Sequence, residues 1–149
     1  MARGPEPRSL AGTGIVLDTS ILIELQRRGG SVPLVWFEEE LGLAAMTAAE
    51  LLAGVHRADT VHRARRSAFV EGILAAIPTL PFDLTAARLY AQIEADLFRA
   101  GTSIDHADLQ IAATALVRGW AVATLNVADF ARVPGLRVLG PEGLTQGDQ

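Results

Sequence analysis

The chain contains no cysteine. A disulfide framework, a thiolate zinc site and a cysteine nucleophile are therefore excluded, and any metal must be held by oxygen or imidazole nitrogen. Imidazole is itself scarce, with three histidines. Lysine is missing as well, so all 13 basic residues are arginine. That removes a P-loop lysine and a Schiff-base lysine, and leaves a side chain suited to bidentate phosphate contacts. Aromatic residues make up 5% of the chain, too few for an extended base-stacking platform. No apolar run reaches the roughly 18 residues of a membrane span. No apolar h-region precedes Ile15 either, so no secretory signal is expected. These absences lead to the expectation of a cytoplasmic protein with no membrane partner. Net positive charge is absent too: the balance is −4, whereas proteins that grip nucleic acid by neutralising phosphates are usually basic. An acidic chain either avoids nucleic acid or keeps its carboxylate and arginine clusters apart.

What remains is 149 residues, half of them hydrophobic, enough for one domain with its own core. The folded domain is expected over residues 14–141, with flexible extensions at 1–13 and 142–149. Ile15-Val16-Leu17 is a short apolar run bounded by Asp18-Thr19-Ser20 and is expected to be a buried strand. A helix with Ile21, Leu22 and Leu25 inward should follow it and stop at Gly29-Gly30. Ser31 and Pro33 look like the start of another helix, with Leu34, Phe37 and Leu41 inward and Gly42 as its stop. Leu43 to Met46 forms a second strand candidate. Thr47-Ala48-Ala49-Glu50 then matches a capping box opening the next helix. A long helix from Asp59 to Ile77 is closed by Pro78, an extended stretch covers Thr79 to Phe82, and a helix runs from Asp83 to Arg99. Asp105 is expected to cap a helix that buries Leu109, Ala112, Ala113, Leu116 and Val117 and ends at Gly119. Trp120 to Leu125 and Leu136 to Leu139 complete the strands. Short apolar strands separated by helices predict an α/β fold with a mainly parallel sheet covered on both faces.

Ligands of such sheets bind at the carboxyl ends of the strands, and four acids stand at those places. Asp18 follows the first strand, Glu50 lies in the turn after the second, Asp108 is in the first turn of the helix after Ile104, and Asp129 lies past the Trp120 to Leu125 strand. Each has a structural alternative. Asp18 can simply cap a helix and Glu50 can complete the capping box, while Asp108 suits a helix dipole and either Asp129 or Asn126 can cap a turn. Taken together, converged carboxylates repel one another unless a cation lies among them. Mg²⁺ or Mn²⁺ suits an all-oxygen donor set, and the chemistry it supports is metal-assisted hydrolysis of a phosphodiester.

The stretches Ile15-Val16-Leu17-Asp18-Thr19-Ser20, Thr47 to Gly54, Asp108 to Ala115 and Thr124 to Phe130, with the ending Phe130 to Leu136, resemble the ordered motifs of PIN-domain ribonucleases, specifically VapC toxins. The likeness spans about residues 15 to 139. It implies a PIN-like three-layer α/β/α sandwich, a Mg²⁺- or Mn²⁺-dependent endoribonuclease, a homodimer and inhibition by a VapB-type antitoxin. Carried over by motif position, Asp18, Glu50 and Asp108 form the acidic metal site and Asp129 is the fourth acid. Asn126 stands where some relatives have Asp, so either it or Asp129 completes the site. Thr19 and Thr124 match small polar positions that hydrogen-bond the acids. The expected cleavage is in-line attack of metal-activated water, leaving 5′-phosphate and 3′-hydroxyl ends.

Arg57, Arg63, Arg65 and Arg66 form a local positive patch interrupted only by Asp59, which is either a solvated helix face or a contact for RNA phosphates. Trp36 and Phe37 are candidates for an antitoxin groove or for the core. Among rival activities, an aspartyl-phosphate phosphatase needs an acid where Ser20 stands, and a dinucleotide fold needs its glycines after the first strand, whereas Gly12 and Gly14 precede it. A PIN-like nuclease of RNA processing or repair, and a catalytically silent PIN-like binding module, remain alternatives. The silent module requires a broken acidic set, and here all four acids are present.

Overall fold

The strand Gly14–Leu17 (β1) is buried at every position, as a strand covered on both faces requires. The computed structural model describes residues 14–29 and 39–141. The extensions expected at 1–13 and 142–149, the helix opening at Ser31, and the groove residues Trp36 and Phe37 lie outside the described residues. After β1 come α1 (Thr19–Arg27), β2 (Glu40–Ala44), α2 (Ala45–Arg57), α3 (Thr60–Ala76), β3 (Thr79–Leu80), α4 (Leu84–Arg99), α5 (His106–Arg118), β4 (Ala121–Ala123), α6 (Val127–Phe130) and β5 (Val138–Leu139). The five strands pair in the order β3-β2-β1-β4-β5, and every pairing is parallel.

Because strand side chains alternate between faces, two cores result. Ile15, Leu17, Leu43 and Ala123 point to one side, where they meet Ile21, Leu22 and Leu25 of α1, Leu51 and Val55 of α2, and Val70 of α3. Val16, Ala44 and Val122 point to the other, against Ile93 and Leu97 of α4 and Leu109, Ala112 and Ala115 of α5. The result is the expected three-layer α/β/α sandwich around a parallel sheet.

Several local expectations are corrected. Glu40, Leu41 and Gly42 belong to strand β2 and not to the end of a helix. Gly42 is no stop signal: a Cβ there would come within 2.8 Å of Leu80 and 3.1 Å of Trp120, so the bare backbone lets those side chains lie across the strand. Ala45 and Met46 are helical, and α2 starts before Thr47 with no side-chain cap at Ala44. The capping box is therefore not formed. The Thr47 hydroxyl is buried without a hydrogen-bond partner, and Glu50 bonds elsewhere. Asp105 occupies the N-cap position of α5, but its side chain makes no capping bond. Val117 is exposed, while Ile111, Thr114 and Ala115 are buried, because α5 packs between the sheet, α4 and α2. Trp120 and Leu125 flank β4 instead of extending it. Gly119 does end α5, in the left-handed region with φ 70°.

Candidate active site

The chain builds the sheet outward from β1 through β2 and β3, then returns to the other side of β1 with β4 and β5. The strand order thus reverses between β1 and β4, the place where open α/β sheets form a crevice. Leu17 pairs with Ala123, so the next residues, Asp18 and Thr124, leave the sheet side by side. Asp18 is 5% exposed, and both of its oxygens accept hydrogen bonds. Oδ1 accepts the Thr19 backbone N–H at 2.8 Å, which caps α1. Oδ2 accepts the hydroxyls of Ser20 at 2.9 Å and Thr124 at 2.8 Å. Thr124 Oγ1 in turn accepts the Asn126 N–H at 2.9 Å, and Ser20 Oγ accepts the Leu125 N–H at 3.0 Å. The orientation of Asp18 is therefore set by two hydroxyls that are themselves held by the loop after β4.

Glu50, on the second turn of α2, accepts the Thr19 hydroxyl at 3.0 Å. Burial raises its pKa, the Thr19 bond opposes that, and the charges of Asp18 and Asp105 raise it further. Asp108, on the first turn of α5, is pushed up to about 6, first by burial and then by the charges of Asp18, Asp105, Glu50 and Asp129. All four sequence-predicted acids thus belong to one electrostatic group centred on Asp108, together with Asp105, whose charge was not anticipated. Asp129 accepts the Asn126 amide at 2.6 Å and lies 3.7 Å from Arg132, which also donates to the Ser103 carbonyl at 2.9 Å. Ser20 and Arg132 were missed in the sequence. An Asp-x-Ser spacing after a strand was the available signal for Ser20; Arg132 offered only its spacing of three from Asp129, and its other partner, Ser103, comes from a distant segment.

Among the described residues, no group of three or more acidic or imidazole side chains stands close enough, as placed, to hold a metal ion. The donors present are nonetheless all oxygen and mutually repulsive, and they form an open group. This fits a hard divalent ion that keeps several waters and takes one or two carboxylates plus a substrate phosphate.

Arg57, Arg63, Arg65 and Arg66 are all exposed. Arg57 lies seven residues after Glu50, two helical turns along the same stripe of α2, with Ala53 and Gly54 between them. Arg63 donates to the Ala58 carbonyl at 2.8 Å, whereas Arg57, Arg65 and Arg66 make no ion pair among the described residues.

The family model described as PIN domain matches residues 15–136. The chain belongs to the PIN-domain family, in its VapC branch. It is 36% identical over 127 residues to Ribonuclease VapC1 of Rickettsia felis, covering 85% of this chain and 95% of that one. It is 35% identical over 96 residues to the tRNA(fMet)-specific endonuclease VapC of Salmonella typhimurium, covering 64% of this chain and 71% of the relative. The crystal structure of VapBC-5 from Mycobacterium tuberculosis superposes with a TM-score of 0.71 at 32% identity, over 86% of this chain and 98% of that chain. The PIN match encloses Asp18, Glu50, Asp108 and Asp129.

Proposed function

We propose that this PIN-domain chain is a divalent-metal-dependent endoribonuclease, the toxin half of a VapBC-type toxin–antitoxin pair. The observation that carries this reading is the convergence toward Asp108 of Asp18, Glu50 and Asp129 from separate parts of the chain, with Asp105 one helical turn away; burial first, and then these charges, raise its pKa to about 6. So crowded a group of carboxylates is costly unless a cation is to lie among them. Asp18, Glu50, Asp108 and Asp129 would hold Mg²⁺ or Mn²⁺. Such an ion, when bound, supplies a water of lowered pKa and neutralises charge building on the phosphoryl group. Thr124 and Ser20 orient Asp18, Thr19 holds Glu50, and Asn126 orients Asp129. In this reading Asp129 completes the site and Asn126 supports it.

A metal-free route through paired histidines has little support. His56 and His62 are exposed, and His62 is bonded to Asp59 at 2.8 Å. Cleavage is therefore expected to leave 5′-phosphate and 3′-hydroxyl ends. The similarity to ribonucleases and to a toxin–antitoxin complex supports RNA as substrate and a VapB-type antitoxin as inhibitor, and the proposal includes a homodimer. No helix among the described residues is long and apolar enough to cross a membrane.

The decisive experiment measures cleavage of total cellular RNA by Asp18→Asn and Asp108→Asn chains with Mg²⁺ or Mn²⁺. Each is expected to lose at least about 100-fold in rate, more than the loss of a supporting residue alone gives, while keeping the wild-type circular dichroism spectrum. Full activity in either variant, undiminished wild-type activity in excess EDTA, or 2′,3′-cyclic phosphate ends would overturn the reading.

A further inference from the structure

Few as the aromatic residues are, three rings meet beside the carboxylates. Tyr90 of α4 and His106 of α5 share a hydrogen bond, with Oη and Nδ1 2.6 Å apart. Their ring centroids are 6.4 Å apart and their planes 25° from parallel. That separation is what a phenol radius, one short hydrogen bond and an imidazole radius span in line. The two rings therefore lie end to end as one nearly continuous plane, not face over face. Phe82 braces Tyr90 edge-on, with centroids 5.9 Å apart at 90°, and Glu94 lies 3.7 Å from His106 Nδ1. The His106 side chain is 78% exposed. His106 stands two residues before Asp108, in the first turn of the same helix.

We propose that the coplanar Tyr90–His106 pair is a docking face for one unpaired base of a single-stranded RNA, fixing the strand beside the carboxylates. The proposal rests on the ribonuclease reading and adds a substrate-positioning site to it. The chemistry is that of aromatic stacking: every base has a π-face, and a rigid, hydrogen-bonded plane is already ordered before the base arrives. An unstacked base is available only in a single strand, loop or bulge, so the site selects against duplex.

The test uses the full chain and a short single-stranded RNA carrying 2-aminopurine at each position in turn, in EDTA so that binding is read without cleavage. One position is expected to lose fluorescence on binding. His106→Ala is expected to weaken affinity about tenfold and to abolish that quench, whereas His106→Phe, which restores a ring but not the hydrogen bond to Tyr90, keeps the quench and recovers part of the affinity. An abasic site at the responsive position is expected to weaken wild type by the same factor and to leave His106→Ala unaffected. Wild-type affinity in His106→Ala, or quenching at no position, overturns the proposal. A quench without metal-dependent cleavage would instead remove the nuclease reading and keep the docking face; cleavage without any quench would do the reverse.

Discussion

In the proposed site, Asp18 is one carboxylate given both a folding and a chemical part: it caps α1 through Oδ1 and is aimed by Ser20 and Thr124 through Oδ2. Thr124→Val keeps the shape of that side chain and removes the aim. The expected outcome is a 10- to 100-fold fall in cleavage rate with the fold intact, read from kinetics beside circular dichroism. Asp108 makes the opposite kind of demand. Its pKa is raised to about 6 in the fold, above the ordinary carboxylate range of roughly 4. Its contribution to stability is therefore fully present below that range and is lost as pH rises through about 6. Glu50, also raised, acts in the same direction. Asp108→Asn in EDTA is expected to melt a few degrees higher than wild type at pH 7 and to flatten the decline in Tm between pH 4 and 7. An unchanged decline would contradict this. The four acids were legible in the sequence because each stands just past a strand or in the first turns of a helix. Thr19 and Thr124 were legible by motif position, whereas Ser20, Asp105 and Arg132 were less so: the partners Thr124, Glu50 and Ser103 that complete their roles are brought in by the fold.

At the level of elements, short apolar runs and helix stops carried most of the information. The helices expected from Asp59 and Asp83 form with those residues as caps of α3 and α4, accepting the backbone N–H groups of His62 and Ala86, and Gly119 closes α5 as expected. The stretch around Glu40 misled because glutamates ending in a glycine imitate a helix terminus, whereas the start of a strand tolerates the same residues. What decides the matter is Trp120, whose ring occupies the space beside Gly14 and Gly42, and a contact of that range has no local signature. A Cβ on Gly14 would fall 1.9 Å from the Trp120 ring. Gly14→Ala is thus expected to cost about 1–3 kcal/mol in chemical denaturation. Gly72→Ala is the matched control: nothing lies within 4 Å of a Cβ in mid-α3, and a gain of up to about 1 kcal/mol is expected. Equal effects of the two would show that the Trp120 ring is not limiting.

For the molecule as a whole, the charge of −4 hides a local unevenness. Five of the 17 acids influence one another around Asp108, and four of the 13 arginines stand exposed on α2 and α3. Arg57, Arg65 and Arg66 are the useful ones to replace, because Arg63 is already committed to the Ala58 carbonyl. Changing those three to glutamine is expected to lower the slope of log affinity against log salt for single-stranded RNA by about 2, near 0.7 for each phosphate no longer neutralised. An unchanged slope would assign the arginines to solvation alone.

The bond from Thr124 to Asp18 joins residues 106 positions apart, and Asp108 and Asp129 reach the crevice from the same late part of the chain. The order of synthesis then matters. While the ribosome is still adding residues, β1 and α1 can be complete and yet Asp18 has nothing to aim it, and the early carboxylates have no late partners. A site assembled this way is incomplete until residue 129 has emerged, so whatever depends on all four acids waits for the late part of the chain.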